Sequence, residues 1–216
     1  MKDQDSPSCT DSCPAGYYCG KQSVSPVPCK AGTYCPQESA AETPCPAGTY
    51  NGLPNRTSED DCSDCLIGHY CEEGSRAEHK CPKGTYGNEP GLGACISCEA
   101  GKFQDDLGQT VCGPCLPGTY CEEGAAAPTD CAAGTFSIAT NLSSAEDCKP
   151  CPAGFYCGKG AYEPIPCPAG TVGTEEKLRA EAFCTKCTGD TTSLPGTTDC
   201  DFCSVDFYPN PEVRRC

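Results

Sequence analysis

Twenty-five cysteines stand in 216 residues, and a cysteine thiol offers four kinds of chemistry. It attacks as a thiolate, exchanges electrons in a Cys-x-x-Cys pair, ligates zinc, or closes a disulfide. Thiolate catalysis calls for a histidine and an orienting carboxylate beside the thiol. Only His69 and His79 are present, both read as exposed loop residues, and no nucleophile elbow or phosphate-binding glycine loop accompanies them. A redox pair calls for a thioredoxin-like βαβ context, which is missing. Zinc calls for four ligands per site, and the Cys-x-x-Cys pairs do not fall into regular fours. Disulfides remain, and cysteine above a tenth of the residues is the composition of small modules stapled in an oxidising compartment. The chain is therefore read as a non-enzyme with no catalytic residue, no cofactor and no metal ligand.

The spacing of these cysteines is periodic, and a fixed period decides architecture before any other signal. A phrase, Cys-Pro-x-Gly-x-Tyr, opens at Cys13, Cys29, Cys45, Cys65, Cys81, Cys98, Cys115, Cys131, Cys151, Cys167, Cys187 and Cys203, at steps of 16, 17 or 20 residues. Pro at its second place fixes φ and Gly at its fourth suits the exit of a type I turn, after which a short strand is expected. Ten of the sixteen aromatics fall in the sixth place: Tyr18, Tyr34, Tyr50, Tyr70, Tyr86, Phe103, Tyr120, Phe136, Tyr156 and Tyr208. Regular spacing of this kind predicts miniature cores that pack each unit on its neighbour. Proline is usual but not constant at the second place, and the phrase decays in the Cys187 and Cys203 units, where the glycine leaves the fourth place.

A second cysteine sorts the units into two kinds. In five it follows the aromatic directly, giving Cys13/Cys19, Cys29/Cys35, Cys65/Cys71, Cys115/Cys121 and Cys151/Cys157. In seven it comes late, giving Cys45/Cys62, Cys81/Cys95, Cys98/Cys112, Cys131/Cys148, Cys167/Cys184, Cys187/Cys200 and Cys203/Cys216. Closure within each unit is the first choice, because every unit then balances. Spacing alone does not determine connectivity, and an interleaved scheme such as Cys65 to Cys81 and Cys71 to Cys95 stays open. Cys9 is left over, and its expected partner lies upstream of Met1 in a longer parent.

The phrases Cys45-Pro46-Ala47-Gly48-Thr49-Tyr50 and Cys151-Pro152-Ala153-Gly154-Phe155-Tyr156, with Cys-x-x-Cys at the unit junctions, resemble ephrin-receptor-like and tumour-necrosis-factor-receptor-like cysteine-rich repeats. The resemblance covers Cys9 to Cys216 and implies a module of receptor ectodomains, adhesive proteins or large surface proteins. The alternation of Cys-x5-Cys units with late-cysteine units departs from the six-cysteine module of the tumour-necrosis-factor receptors.

The expected fold class is small and disulfide-rich: an elongated tandem array of cysteine-rich modules with short β-hairpins and turns and little helix. Four stretches group its units: 9–64, 65–114, 115–186 and the degenerate 187–216. Leu, Ile, Val and Phe number 24 of 216, too few for one large core, so disulfides must replace it. Single capped helical turns are expected before Cys62 and Cys148, and Thr174 to Phe183 is the one credible longer helix. Asn55 and Asn141 each open an N-glycosylation sequon ten residues after an opening cysteine, a place that Lys177 fills in a third long unit.

A net charge of −15 disfavours nucleic acid and anionic membranes. No run is long and apolar enough to enter a membrane directly. Clusters such as Glu59-Asp60-Asp61 lack the alternation of a calcium loop. The expected location is extracellular or cell-surface, as a fragment of a longer secreted or anchored protein. The expected function is a disulfide-stapled, glycosylated rod acting as spacer, matrix element or filament subunit, with copies of itself or other extracellular proteins as partners. The alternative is a receptor-type or adhesive ectodomain that binds a protein along the rod. Its candidate anchors are Tyr17, Phe155, Tyr162, Phe183, Phe202 and Phe207.

Overall fold

The phrase folds as a turn, a strand and a lock. In a computed structural model that describes residues 12–21, 23–189 and 191–202, the amide of the phrase's fifth residue donates to the carbonyl of its second. Examples are Thr49 N–H to Pro46 O at 3.1 Å and Lys102 N–H to Glu99 O at 3.0 Å. The glycine between them takes φ of 77° to 93° in ten modules, from Gly16 to Gly170, while the residue before it never has positive φ. Positive φ at the third residue of the turn alone defines type II, not the type I expected from the proline. The difference has a physical cause: the turn starts one residue later than expected, so the glycine is its third residue and not its exit, a place where a residue without Cβ takes positive φ at ease.

A two-residue inner strand follows and pairs antiparallel with an outer strand made of the two residues before the next opening cysteine. Thr33–Tyr34 pairs with Thr43–Pro44, Thr49–Tyr50 with Ser63–Asp64, and Phe155–Tyr156 with Ile165–Pro166. Eleven such hairpins run from Tyr17–Tyr18 to Asp201–Phe202 among the described residues. Single parallel bridges from inner strands to the next module's loop, such as Tyr34 to Arg56 and Tyr120 to Leu142, cover the other edge.

Eleven disulfides close these modules and use all twenty-two described cysteines. They join Cys13 to Cys19, Cys29 to Cys35, Cys45 to Cys62, Cys65 to Cys71, Cys81 to Cys95 and Cys98 to Cys112. They also join Cys115 to Cys121, Cys131 to Cys148, Cys151 to Cys157, Cys167 to Cys184 and Cys187 to Cys200. The Cα atoms of each pair lie 5.6 to 6.3 Å apart, a span that a disulfide bridges. Cys9, Cys203, Cys216, Tyr208 and Phe207 lie outside the described residues. The fold is thus a small disulfide-rich tandem array of short hairpins.

The core is made of sulfur. Apart from Val172, every buried apolar residue described is a half-cystine. The phrase aromatics, expected as miniature cores, are half-buried from Tyr18 to Tyr156. The fully buried places belong to the cystines instead. Val172, which takes the aromatic's place in the Cys167 module, is 4 % exposed.

The longer helix expected from Thr174 to Phe183 does not form. Only a single 3-10 turn, Glu181–Phe183, is present, and Lys177 takes φ of 64°. Its amide is committed to the carbonyl of Cys151 at 2.8 Å, so tertiary bonding fixes a left-handed residue where a helix would need a right-handed one. The turns expected before Cys62 and Cys148 do form, as Glu59–Asp61 and Ala145–Asp147.

By contacts the chain divides into two units, Met1–Cys98 with Gln104–Cys112, and Glu99–Phe103 with Gly113–Cys216. The first carries the five hairpins from Tyr17–Tyr18 to Ile96–Ser97, and the second carries the six from Lys102–Phe103 onward.

Candidate interaction surface

Each phrase glycine ties its module to the next. Its amide donates to the residue six places past the next opening cysteine: Gly16 to Cys35, Gly32 to Asn51, Gly48 to Cys71, Gly118 to Ser137 and Gly170 to Ser193. Its carbonyl accepts from the next opening cysteine, as Gly48 does from Cys65 and Gly134 from Cys151, both at 2.9 Å. Its φ makes the turn. In eight of the ten its bare Cα face also meets the carbonyl of a left-handed residue two modules on: a Cβ on Gly48 would lie 2.2 Å from Gly91 O, and one on Gly134 would lie 2.6 Å from Lys177 O. In those modules stacking between neighbours, and between next neighbours, is built into one residue.

Nine left-handed residues form the counterpart of that junction, five of them exposed and Gly74, Gly108, Gly160 and Gly196 half-buried. They are Glu38, Asn55, Gly74, Gly91, Gly108, Asn141, Gly160, Lys177 and Gly196, and each donates its amide to the opening cysteine of the module before it at 2.8 to 3.0 Å. Asparagine is the non-glycine residue best suited to this conformation, which explains its presence at two of these places. Asn55 and Asn141, at φ of 61° and 60°, both present exposed side chains. Asn55 Nδ2 donates to the Tyr17 hydroxyl at 3.1 Å.

The rest of each sequon is anchored by an aspartate. Asp61 Oδ2 accepts from the Thr57 amide at 2.8 Å, the Ser58 amide at 3.2 Å and the Thr57 hydroxyl at 3.2 Å. Asp147 Oδ2 accepts from the Ser143 amide and hydroxyl and the Ser144 amide, all at 2.9 Å. The Thr57 and Ser58 amides, with the Thr57 hydroxyl and nearby Arg56, hold the Asp61 carboxyl below its ordinary value. The Ser143 hydroxyl and the Ser143 and Ser144 amides do the same for Asp147.

Of the candidate aromatic anchors, Tyr17 and Phe155 are half-buried in inner strands, while Tyr162 and Phe183 are 58 % and 59 % exposed. Phe202 ends the last outer strand. His79 lies across the hairpin from Tyr70, ring centroids 5.6 Å apart, and His69 Nδ1 is 3.2 Å from Ile67 O.

Two sets of positions carry structure that the sequence reading passed over. Seven phrase threonines, among them Thr33, Thr49, Thr119 and Thr171, donate Oγ1 back to the turn carbonyl at 2.7 to 2.8 Å. The signal was the recurrence of Thr before the aromatic. In long modules, buried Asn51 and Ser193 fill the place that short modules give to the second cysteine, and they donate to Thr33 O and Thr171 O of the preceding module. Aligning the repeats on their glycines exposes that slot.

Residues 84–131 match the family model described as tyrosine-protein kinase ephrin type A/B receptor-like. Over that stretch the chain is similar to ephrin-receptor-like cysteine-rich repeats, and the disulfide-closed modules on either side make it a cysteine-rich tandem array. No curated protein matches the chain. Disulfide density and module type mark it as an extracellular domain, and among the described residues no helix is long and apolar enough to cross a membrane.

Proposed function

We propose that this chain is a structural spacer of an extracellular assembly: a disulfide-stapled, glycosylated rod whose partners are copies of itself or other extracellular proteins. The observation that supports this reading is the phrase glycine, whose contacts among the described residues run to the next module and the one after it. Interactions that close over so short a range propagate along one dimension and gather no side chains into a deep site. Glycans at Asn55 and Asn141, at equivalent exposed places, would keep the array soluble and its sides apart.

Small-angle scattering of the oxidised chain tests the spacer. A rod gives a maximum dimension that grows in proportion to module number, whereas a compact particle of this length has a radius of gyration of ~17 Å, and that value would sink the reading.

A receptor-type ectodomain is the second reading, favoured by the match over residues 84–131 and by the exposed rings of Tyr162 and Phe183. Binding anchors are commonly aromatic. Stoichiometric capture of a soluble ligand, lost in a Tyr162→Ala and Phe183→Ala variant, would favour it over the spacer.

A further inference from the structure

We propose that Asn55 and Asn141 accept glycans before the Cys45–Cys62 and Cys131–Cys148 bonds close, so that disulfide closure ends the window for modification. This inference rests on the glycosylation proposed above. Transfer forms a bond from the asparagine amide nitrogen to the anomeric carbon of a lipid-linked oligosaccharyl diphosphate. The bond from that carbon to the diphosphate oxygen breaks, the lipid diphosphate departs, and the amide proton passes to a carboxylate of the transferring enzyme. The sequon Asn-x-Ser/Thr is read through its hydroxyl, so the enzyme must reach that hydroxyl and the amide nitrogen together.

In the folded loops every residue of both sequons is already bonded. The amides of Asn55 and Asn141 donate to Cys29 O and Cys115 O at 2.8 and 2.9 Å. The carbonyls of the middle residues, Arg56 and Leu142, accept from the Cys35 and Cys121 amides at 2.8 and 2.9 Å. The hydroxyls of Thr57 and Ser143, which the enzyme must read, donate to Asp61 and Asp147. The asparagines themselves sit in a left-handed turn, not in an extended segment. At Asn55 the nucleophilic nitrogen is further held by Tyr17. Cys62 and Cys148 follow the anchoring aspartates directly, so each disulfide secures the loop that holds its own sequon's exposed hydroxyl in a hydrogen bond. Folding and modification thus compete for the same atoms.

The test presents the full chain, made without glycans, to microsomal membranes charged with the lipid-linked donor. One portion is disulfide-bonded and the other reduced and alkylated, and peptide mass spectrometry reads occupancy at each asparagine. The reduced chain is expected to be modified at both sites and the disulfide-bonded chain at least about tenfold more slowly, because only its rare open state is competent. Equal rates on the two forms would overturn the order while leaving glycosylation standing. No transfer to either form, in a reaction that modifies a short sequon peptide, would overturn the glycosylation reading and this inference with it.

Discussion

Gly48 and Gly124 separate the two demands that a residue in this array meets. Both have positive φ, 93° and 72°, but a Cβ on Gly48 would strike Gly91 O at 2.2 Å, whereas one on Gly124 meets nothing within 4 Å among the described residues. Gly124→Ala is expected to cost about 1 kcal/mol, the backbone strain alone. Gly48→Ala adds a backbone collision and is expected to cost about 3 kcal/mol or more, read as a lower denaturant midpoint and lower secreted yield. Asn141 tests its two roles in the same way. Asn141→Gly keeps the left-handed turn and is expected to match the wild type in thermal unfolding of the unglycosylated protein, whereas Asn141→Ala is expected to lose about 1 kcal/mol. At this scale the sequence announced which residues matter but only part of why. The glycine at the phrase's fourth place was legible as a turn residue. Its fit against a carbonyl two modules away was not, because that contact follows from stacking, which local pattern does not encode. The sequons were legible as a pattern, and the left-handed backbone that also selects asparagine was visible only in the fold.

Among the elements, the short ones form as local chemistry dictates and the longer one does not. The 3-10 turns Glu59–Asp61 and Ala145–Asp147 were legible from a Ser followed three residues later by an acid. The stretch from Thr174 has good helix formers, yet Lys177 is claimed by Cys151 O, and one tertiary bond overrides several weak propensities. Both aspartates that anchor the sequon loops have lowered pKa values. A carboxyl depressed in the folded state stabilises above its unfolded pKa, about 4, and that contribution disappears as pH falls through the folded value. Amide exchange at Thr57, Ser58, Ser143 and Ser144, corrected for intrinsic rates, is therefore expected to accelerate below about pH 4. In Asp61→Ala and Asp147→Ala the same amides should exchange fast already at neutral pH; unchanged protection in these variants would contradict the assignment. The outer strands carry a second legible device: Pro28, Pro44, Pro114, Pro150 and Pro166 end five of them, and Asp64, Lys80, Asp130 and Lys186 end four more. Proline and charge blunt a sheet edge against strand addition.

For the whole molecule, the disulfides take the place of a hydrophobic core, and the fold class was legible because cysteine count and period leave few alternatives. What the period could not convey is how neighbouring modules interlock, since spacing is one-dimensional and the glycine junction reaches next neighbours in space. Removing one long-loop bond with the pair Cys131→Ser and Cys148→Ser is expected to cost about 3 kcal/mol and to loosen the Cys115 and Cys151 modules most, as nearest-neighbour coupling requires. Exchange protection lost evenly along the chain would argue instead for one cooperative body. What holds the array together above all is the closure of each module by its own disulfide. Non-reducing proteolysis with peptide mass spectrometry reads this directly: the expected linked peptides contain Cys65 with Cys71, Cys81 with Cys95, and so on through Cys187 with Cys200. Peptides linking Cys65 to Cys81 and Cys71 to Cys95 would contradict it.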